Sequence, residues 1–222
     1  MSGYRHFLNF FLKFKSIKMK NTIPILIIIA AFVFVSCNGN SSKTEDHSAM
    51  NHTDSMPMQQ NQKSENDIKY VPAVFSNVDP AVAGFMKTMV QHYLEVKNAL
   101  IENNSSGAAS ASEKITIAIK AFDKSLLSAD QKKVYDDIEA DLKEHAEHIS
   151  KNKVEHQREH FPMMSKDMYD IVKAFGAGMT LYHDHCPMYK DGSMWLSETK
   201  EIRNPYYGDK MMTCGSVEEM FK

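Results

Sequence analysis

From position 82 onward the apolar residues fall on a helical beat. Val82, Phe85, Met86, Met89, Tyr93, Leu94, Leu100 and Ile101 recur mostly in steps of three, four or seven, with polar residues between them. Asp79-Pro80, a capping residue followed by proline at the first helical position, starts this helix. The run NNSSG at 103–107 is expected to end it. A second segment from about 112 puts Ile115, Ile119, Phe122 and Leu126 on one face. Its ITIAI stretch has strand-like residues, but helix formers flank it and no alternation continues, so a helix is expected. Ser128-Ala-Asp-Gln131 has the form of a capping box and opens a third helix with Val134, Tyr135, Ile138, Leu142 and Ile149. A fourth runs from about 154 to 175 through Phe161, Met164, Met168, Ile171 and Val172, and stops at Gly176-Ala-Gly178.

After Gly178 the helical period is lost. Positions 181–222 are rich in aromatics, proline and glycine, with turn signals at Lys190-Asp191-Gly192, Asn204-Pro205 and Tyr207-Gly208. This reads as an irregular or short-stranded cap folded back on the helices, a segment that needs cross-links or a ligand to hold one shape. Short links between the helices favour antiparallel neighbours. The expected fold class is all-α: an up-down helical bundle of about four helices with an irregular Cys/Met-rich C-terminal cap.

The N-terminal pattern is different in kind. Positions 22–36, TIPILIIIAAFVFVS, form an apolar block preceded by Lys18 and Lys20 and too short to span a bilayer comfortably, as in a secretory signal. It ends in Phe34-Val35-Ser36-Cys37, which resembles a bacterial lipobox and makes Cys37 the expected lipidation site, with a plain signal anchor as the alternative. Met19-Lys20 looks like a better start than Met1, so 1–18 reads as an over-extended gene start. The organisation expected is a signal peptide over 1–36, a flexible His/Met-rich tether over 37–77 and a helical metal-handling domain over 78–222. A lipid anchor there places the chain in the cell envelope facing the periplasm, in the inner or the outer membrane.

Composition narrows the function classes. The formal charge of −2 over 222 residues gives no pull toward nucleic acid. There is no Gly-rich phosphate loop, no nucleophile elbow and no C-x-x-C. Without an assignable acid/base pair or activated nucleophile, binding rather than catalysis is expected. A thiol redox enzyme using Cys186 with a neighbouring histidine lacks the partner cysteine of that motif.

Candidate metal donors are concentrated in three places. Cys186-Pro187-Met188 and Met211-Met212-Thr213-Cys214 bring two thiols and two thioethers, Met188 and Met211, suited to Cu(I) and of little use to magnesium or calcium. The competing explanation is a Cys186–Cys214 disulfide closing a loop of roughly 28 residues, worth about 3 kcal/mol, with the methionines as packing. The two readings are compatible, because a redox-sensitive pair can ligate when reduced and bridge when oxidised. His183 and His185 flank the Cys-Pro-Met turn. His156 and His160, four apart on the fourth helix, project from one face and can chelate one ion; the alternative is a solvated helix face. His145 and His148 on the third helix, and His92 on the first, are weaker candidates. In the tether, His47, Met50, His52, Met56 and Met58 form an auxiliary arm for capturing copper, against a plain linker with chance donors.

HQREHF at 156–161, YHDHCPM at 182–188, WLSETKEIRNPYYGDKMMTCG at 195–215 and QHYLEVKNAL at 91–100 together resemble an uncharacterised domain family of Gram-negative bacteria. That family occurs as small periplasmic lipoproteins and at the C-terminus of CusB/HlyD-type heavy-metal efflux adaptors. The resemblance, over roughly 78–222, implies a helical domain associated with export of copper or a related metal and an efflux adaptor as possible partner; it hands over no ligand set. Trp195, Asn204, Pro205, Tyr206 and Gly208 belong to the motif and read as the turn and packing frame that holds the sulfur segments together. The expected function is a copper-binding, membrane-tethered protein that supports efflux or homeostasis. The alternative is a metal-free interaction module of an efflux system with the disulfide.

Overall fold

A computed structural model describes residues 68–222. The lipidation site Cys37 and the arm residues His47, Met50, His52, Met56 and Met58 lie outside the described residues. Among the described residues no helix is long and apolar enough to cross a membrane.

Four helices form the body: α1 Pro80–Ile101, α2 Ser105–Ala121, α3 Ala129–Lys151 and α4 Val154–Phe175. Each packs on the next and α4 returns to α1, so the helices make a closed up-down bundle. The caps are the ones the chain spells out. The Asp79 carboxylate accepts from the Ala81 N–H at 2.7 Å, and Ser128 with Gln131 forms a complete capping box. Gly176 ends α4 at φ 83°, a left-handed backbone that a side chain would strain. Tyr93, Tyr135, Phe161, Leu142 and Ile149 are fully buried, and Tyr93 stacks on Phe161 with ring centroids 5.3 Å apart.

The all-α expectation is overturned by the C-terminal segment. Strands β1 (Lys69–Tyr70), β2 (Leu181–Cys186), β3 (Ser193–Ser197) and β4 (Ser216–Phe221) form a four-stranded mixed sheet in the order β1-β4-β2-β3. β1 is parallel to β4, while β4 and β3 flank β2 antiparallel. The strands are short, and a β-bulge at His183/Asp184 breaks the alternation of β2, so the period-2 signal never accumulates.

Two boundaries also shift. Residues 68–77, expected to belong to the tether, pack on the domain. Lys69 and Tyr70 pair with Glu219 and Met220, and the Val74 and Phe75 N–H groups donate to the Lys173 and Ala174 carbonyls at 3.0 and 2.9 Å. Helix α2 begins at Ser105 rather than near 112, because Asn104 caps it by accepting from the Gly107 N–H at 2.9 Å. Its first turns of small residues, with Ala108 and Ala111 buried, let it lie close to its neighbours. Phe122 is the cap of α2 and Leu126 lies in a short 3-10 turn, 42% exposed, so neither continues the helical face.

The cap docks on the bundle at a gap that the sequence itself makes. Pro162 sits inside α4 and has no N–H to offer the Arg158 carbonyl. The Tyr189 hydroxyl donates to that carbonyl at 3.0 Å, and Lys190 Nζ donates to the next one, of Glu159, at 3.2 Å. Arg158 answers in the other direction, donating to the carbonyls of Pro205 at 2.9 Å and Leu100 at 2.7 Å. Behind this seam Trp195 is fully buried against Tyr206, and Tyr206 stacks on Tyr189 at 4.5 Å. On the α1 side the buried Lys97 ammonium pairs with Glu198 at 2.6 Å. Burial beside this pair pushes the Asp184 carboxyl up to about 8, with Lys97 pulling the other way.

Candidate metal centre

Helices α3 and α4 are separated only by Asn152 and Lys153, so the last turns of one face the first turns of the other. Gln157, fully buried, ties this hairpin by donating to the carbonyls of Ile149 and Ser105, both at 2.9 Å. His145 and His148 lie three apart on α3, His156 and His160 four apart on α4, and each pair shares its helix face. The hairpin brings the two faces together.

One nitrogen from each of His148, His156 and His160 lies within 4.8 Å of the other two. This is the one group of three or more His, Cys, Asp or Glu donors so arranged among the described residues. His148 Nδ1 and His156 Nε2 are 3.4 Å apart, and His145 Nδ1 lies 3.3 Å from His160 Nδ1. Two imidazole nitrogens bound to one ion at about 2.0–2.1 Å with a tetrahedral angle sit roughly 3.3–3.4 Å from each other. The hairpin therefore holds imidazole pairs at the edge length of a tetrahedral site. The rings of His148 and His160 stack at 4.1 Å and 9°.

The protonation pattern suits ligation. His156 Nδ1 is 2.9 Å from Glu159 Oε2, so the carboxylate takes that N–H and leaves the Nε2 lone pair toward His148. His148 Nε2 is 4.0 Å from Glu144, on the ring side away from His156. His160 is held below the ordinary imidazole range, first by burial and then by His148, His156 and His145. His145 is lowered by burial too. His145 and His160 are thus kept neutral at neutral pH, the state that a metal requires.

The eight donors expected to serve metal do not form one site. His156 and His160 join His145 and His148, which the sequence ranks low. Cys186 and Cys214 lie side by side elsewhere, free and unbridged, with the Cys186 thiol fully buried. Met188 is 61% exposed and Met211 half-buried, so Met188 is not core packing. His183 lies 3.5 Å from Glu219 against the Tyr169 ring, and His185 lies 3.5 Å from Glu218. Strand register sets His183 opposite Glu219, and the bulge brings Glu218 to His185. His92 has its own carboxylate on α1, Glu95 at 3.4 Å. The residues the sequence reading missed are Glu144 and Pro162. The signal for the α3 histidines was the symmetry of H-x-x-H and H-x-x-x-H about a very short link.

With the geometry in place, comparison with known families adds one result. A domain of the family described as "Protein of unknown function (DUF3347)" is found at residues 89–180. The DUF3347 match takes in most of α1, then α2, α3 and α4 with all four clustered histidines, and stops just before β2. No curated protein and no solved structure matches the chain.

Proposed function

We propose that this chain is a metal-binding protein of the cell envelope whose α3–α4 histidine cluster takes up copper, or a related d-block cation, in support of metal efflux or homeostasis. The observation that carries the reading is the convergence of His148, His156 and His160 nitrogens within 4.8 Å. Imidazole suits copper, zinc and nickel, and for a given nitrogen site the divalent series peaks at copper. The role is binding rather than catalysis. The envelope location rests on the resemblance of the sequence before Cys37 to a lipobox, and the link to an efflux adaptor rests on the resemblance of the motifs at 91–100, 156–161, 182–188 and 195–215 to those of adaptor C-terminal domains.

Titrating the chain with Cu(II) and Zn(II) near pH 7.5 is expected to raise its unfolding temperature, because an ion that binds only the folded state stabilises it by about 2.7 kcal/mol at a hundredfold excess over Kd. The gain should shrink as pH falls below the ordinary imidazole value of about 6.5. The sign follows from His145 and His160, whose folded pKa values lie below the ordinary 6.5. Their contribution is complete above 6.5 and is lost as pH falls through the lowered folded values, while protons also compete for the ligand lone pairs. An unfolding temperature that neither ion moves at pH 7.5 removes the reading. The anchor is tested separately. Cys37→Ala is expected to leave the chain soluble or as uncleaved precursor, and a processed variant that still needs detergent would exclude lipidation there.

A further inference from the structure

We propose that Cys186 and Cys214 form a second metal site, separate from the histidine cluster, which takes one soft monovalent cation such as Cu(I) or Ag(I) between its two sulfurs. The placement follows from the sheet. His185 is paired with Ser216 across β2 and β4, so the end of β2 and the segment entering β4 run side by side and bring Cys186 next to Cys214. Gly215 makes the approach possible. At φ 147° its backbone suits glycine, and a Cβ there would lie 2.8 Å from the Trp195 ring and 3.0 Å from the His185 carbonyl oxygen.

Cys186 and the Met188 backbone lie close enough to the Cys214 thiol to act on it, Cys186 raising its pKa and Met188 lowering it. Cys186 is fully buried and Cys214 half-buried, so the pair opens to solvent on one side only. Met188, two residues after Cys186, is exposed, and the Met211 carbonyl accepts from the Cys214 N–H at 3.1 Å. Soft sulfur donors at a rim, with the hard carboxylates occupied by His183 and His185, select a soft ion.

The loop around the pair is held without a cross-link. Buried Asn204 donates through its side chain to the Cys214 carbonyl at 2.7 Å and through its N–H to the Met212 carbonyl at 2.7 Å, while its side-chain oxygen accepts from the Tyr206 N–H at 2.8 Å. The Tyr207 hydroxyl donates to the Met188 carbonyl at 2.6 Å. A disulfide is not needed to define this turn, which frees the thiols for chemistry. Burial and the Cys186 neighbour push the Cys214 thiol up to about 11, so its proton stays in place until a cation displaces it. On binding, two S–H bonds break, two sulfur–metal bonds form and two protons leave to solvent. No electron is transferred.

The test uses the reduced, anaerobic full chain carrying Cys37→Ala, so that Cys186 and Cys214 are its only thiols. Ag(I), and Cu(I) against a chromophoric chelator, are expected to bind at one equivalent, with apparent affinity rising with pH because thiol protons are released. The equivalent should persist in His156→Ala and His160→Ala, which separates this site from the histidine reading. It should disappear in Cys214→Ala, whose half-buried position tolerates the loss, and bound Ag(I) should protect both wild-type thiols from N-ethylmaleimide. Ag(I) uptake unchanged in Cys214→Ala, alkylation unaffected by Ag(I), or closure to a disulfide in saturating Cu(I) would each overturn the proposal.

Discussion

His160→Ala is expected to lower the affinity of the chain for Cu(II) or Zn(II) by roughly 100-fold or more, since losing even an outer partner of a ligand costs about 10–100-fold. His160 is the ring that meets all the others: it stacks on His148, approaches His156 at 4.7 Å between centroids, and faces His145 Nδ1. The metal-free variant should stay folded, because the ring is only half-buried and relieves no core contact. Glu159→Gln is the graded companion. It keeps the shape but weakens the acceptor that orients His156, and an intermediate loss of about tenfold is expected. Competition titrations of wild type, His148→Ala, His160→Ala and Glu159→Gln give the ordering directly. Wild-type affinity in both histidine variants would show that the cluster is a stack of neutral rings and nothing more.

Trp195→Ala is expected to destabilise the domain by about 3–5 kcal/mol, the usual cost of emptying a large aromatic site in a packed core. The side chain is fully buried, edge-on to Tyr206, and is the surface against which Gly215 closes. Its removal should loosen Tyr206 and with it Tyr189, whose hydroxyl serves the Arg158 carbonyl that Pro162 leaves unpaired. The cap and the start of α4 are therefore expected to loosen together, and Cys214 to alkylate faster. Because Trp195 is the only tryptophan, urea unfolding has to be followed by circular dichroism rather than by fluorescence. A shift below about 1 kcal/mol would mean that the cap is not a cooperative part of the fold.

The helical bundle was legible because its determinants are local. The apolar step of three and four, the Ser128–Gln131 box, Asp79-Pro80 and Gly176 each act within a turn or two, and the helices begin and end at them. Where the local signal was ambiguous, neighbours decided. Asn104 reads equally as a loop residue or a cap, and the packing of Ala108 and Ala111 makes it a cap. The sheet was not legible as a sheet. β1 and β4 pair over most of the length of the domain, and a two-residue strand carries no period. The same division runs through the chemistry. Spacing on one helix was enough to make His156 and His160 a chelating pair, since i and i+4 share a face. Their real partners are on another helix, and only the tight α3–α4 hairpin, held by Gln157, sets His148 and His145 at 3.3–3.4 Å from them. His183 and His185 are close to Cys186 in sequence, yet the sheet and its bulge give them Glu219 and Glu218 instead. Donor types and their helical phase belong to the sequence. Which donors share a site is a matter of ångströms between separate elements, and tertiary packing alone decides it.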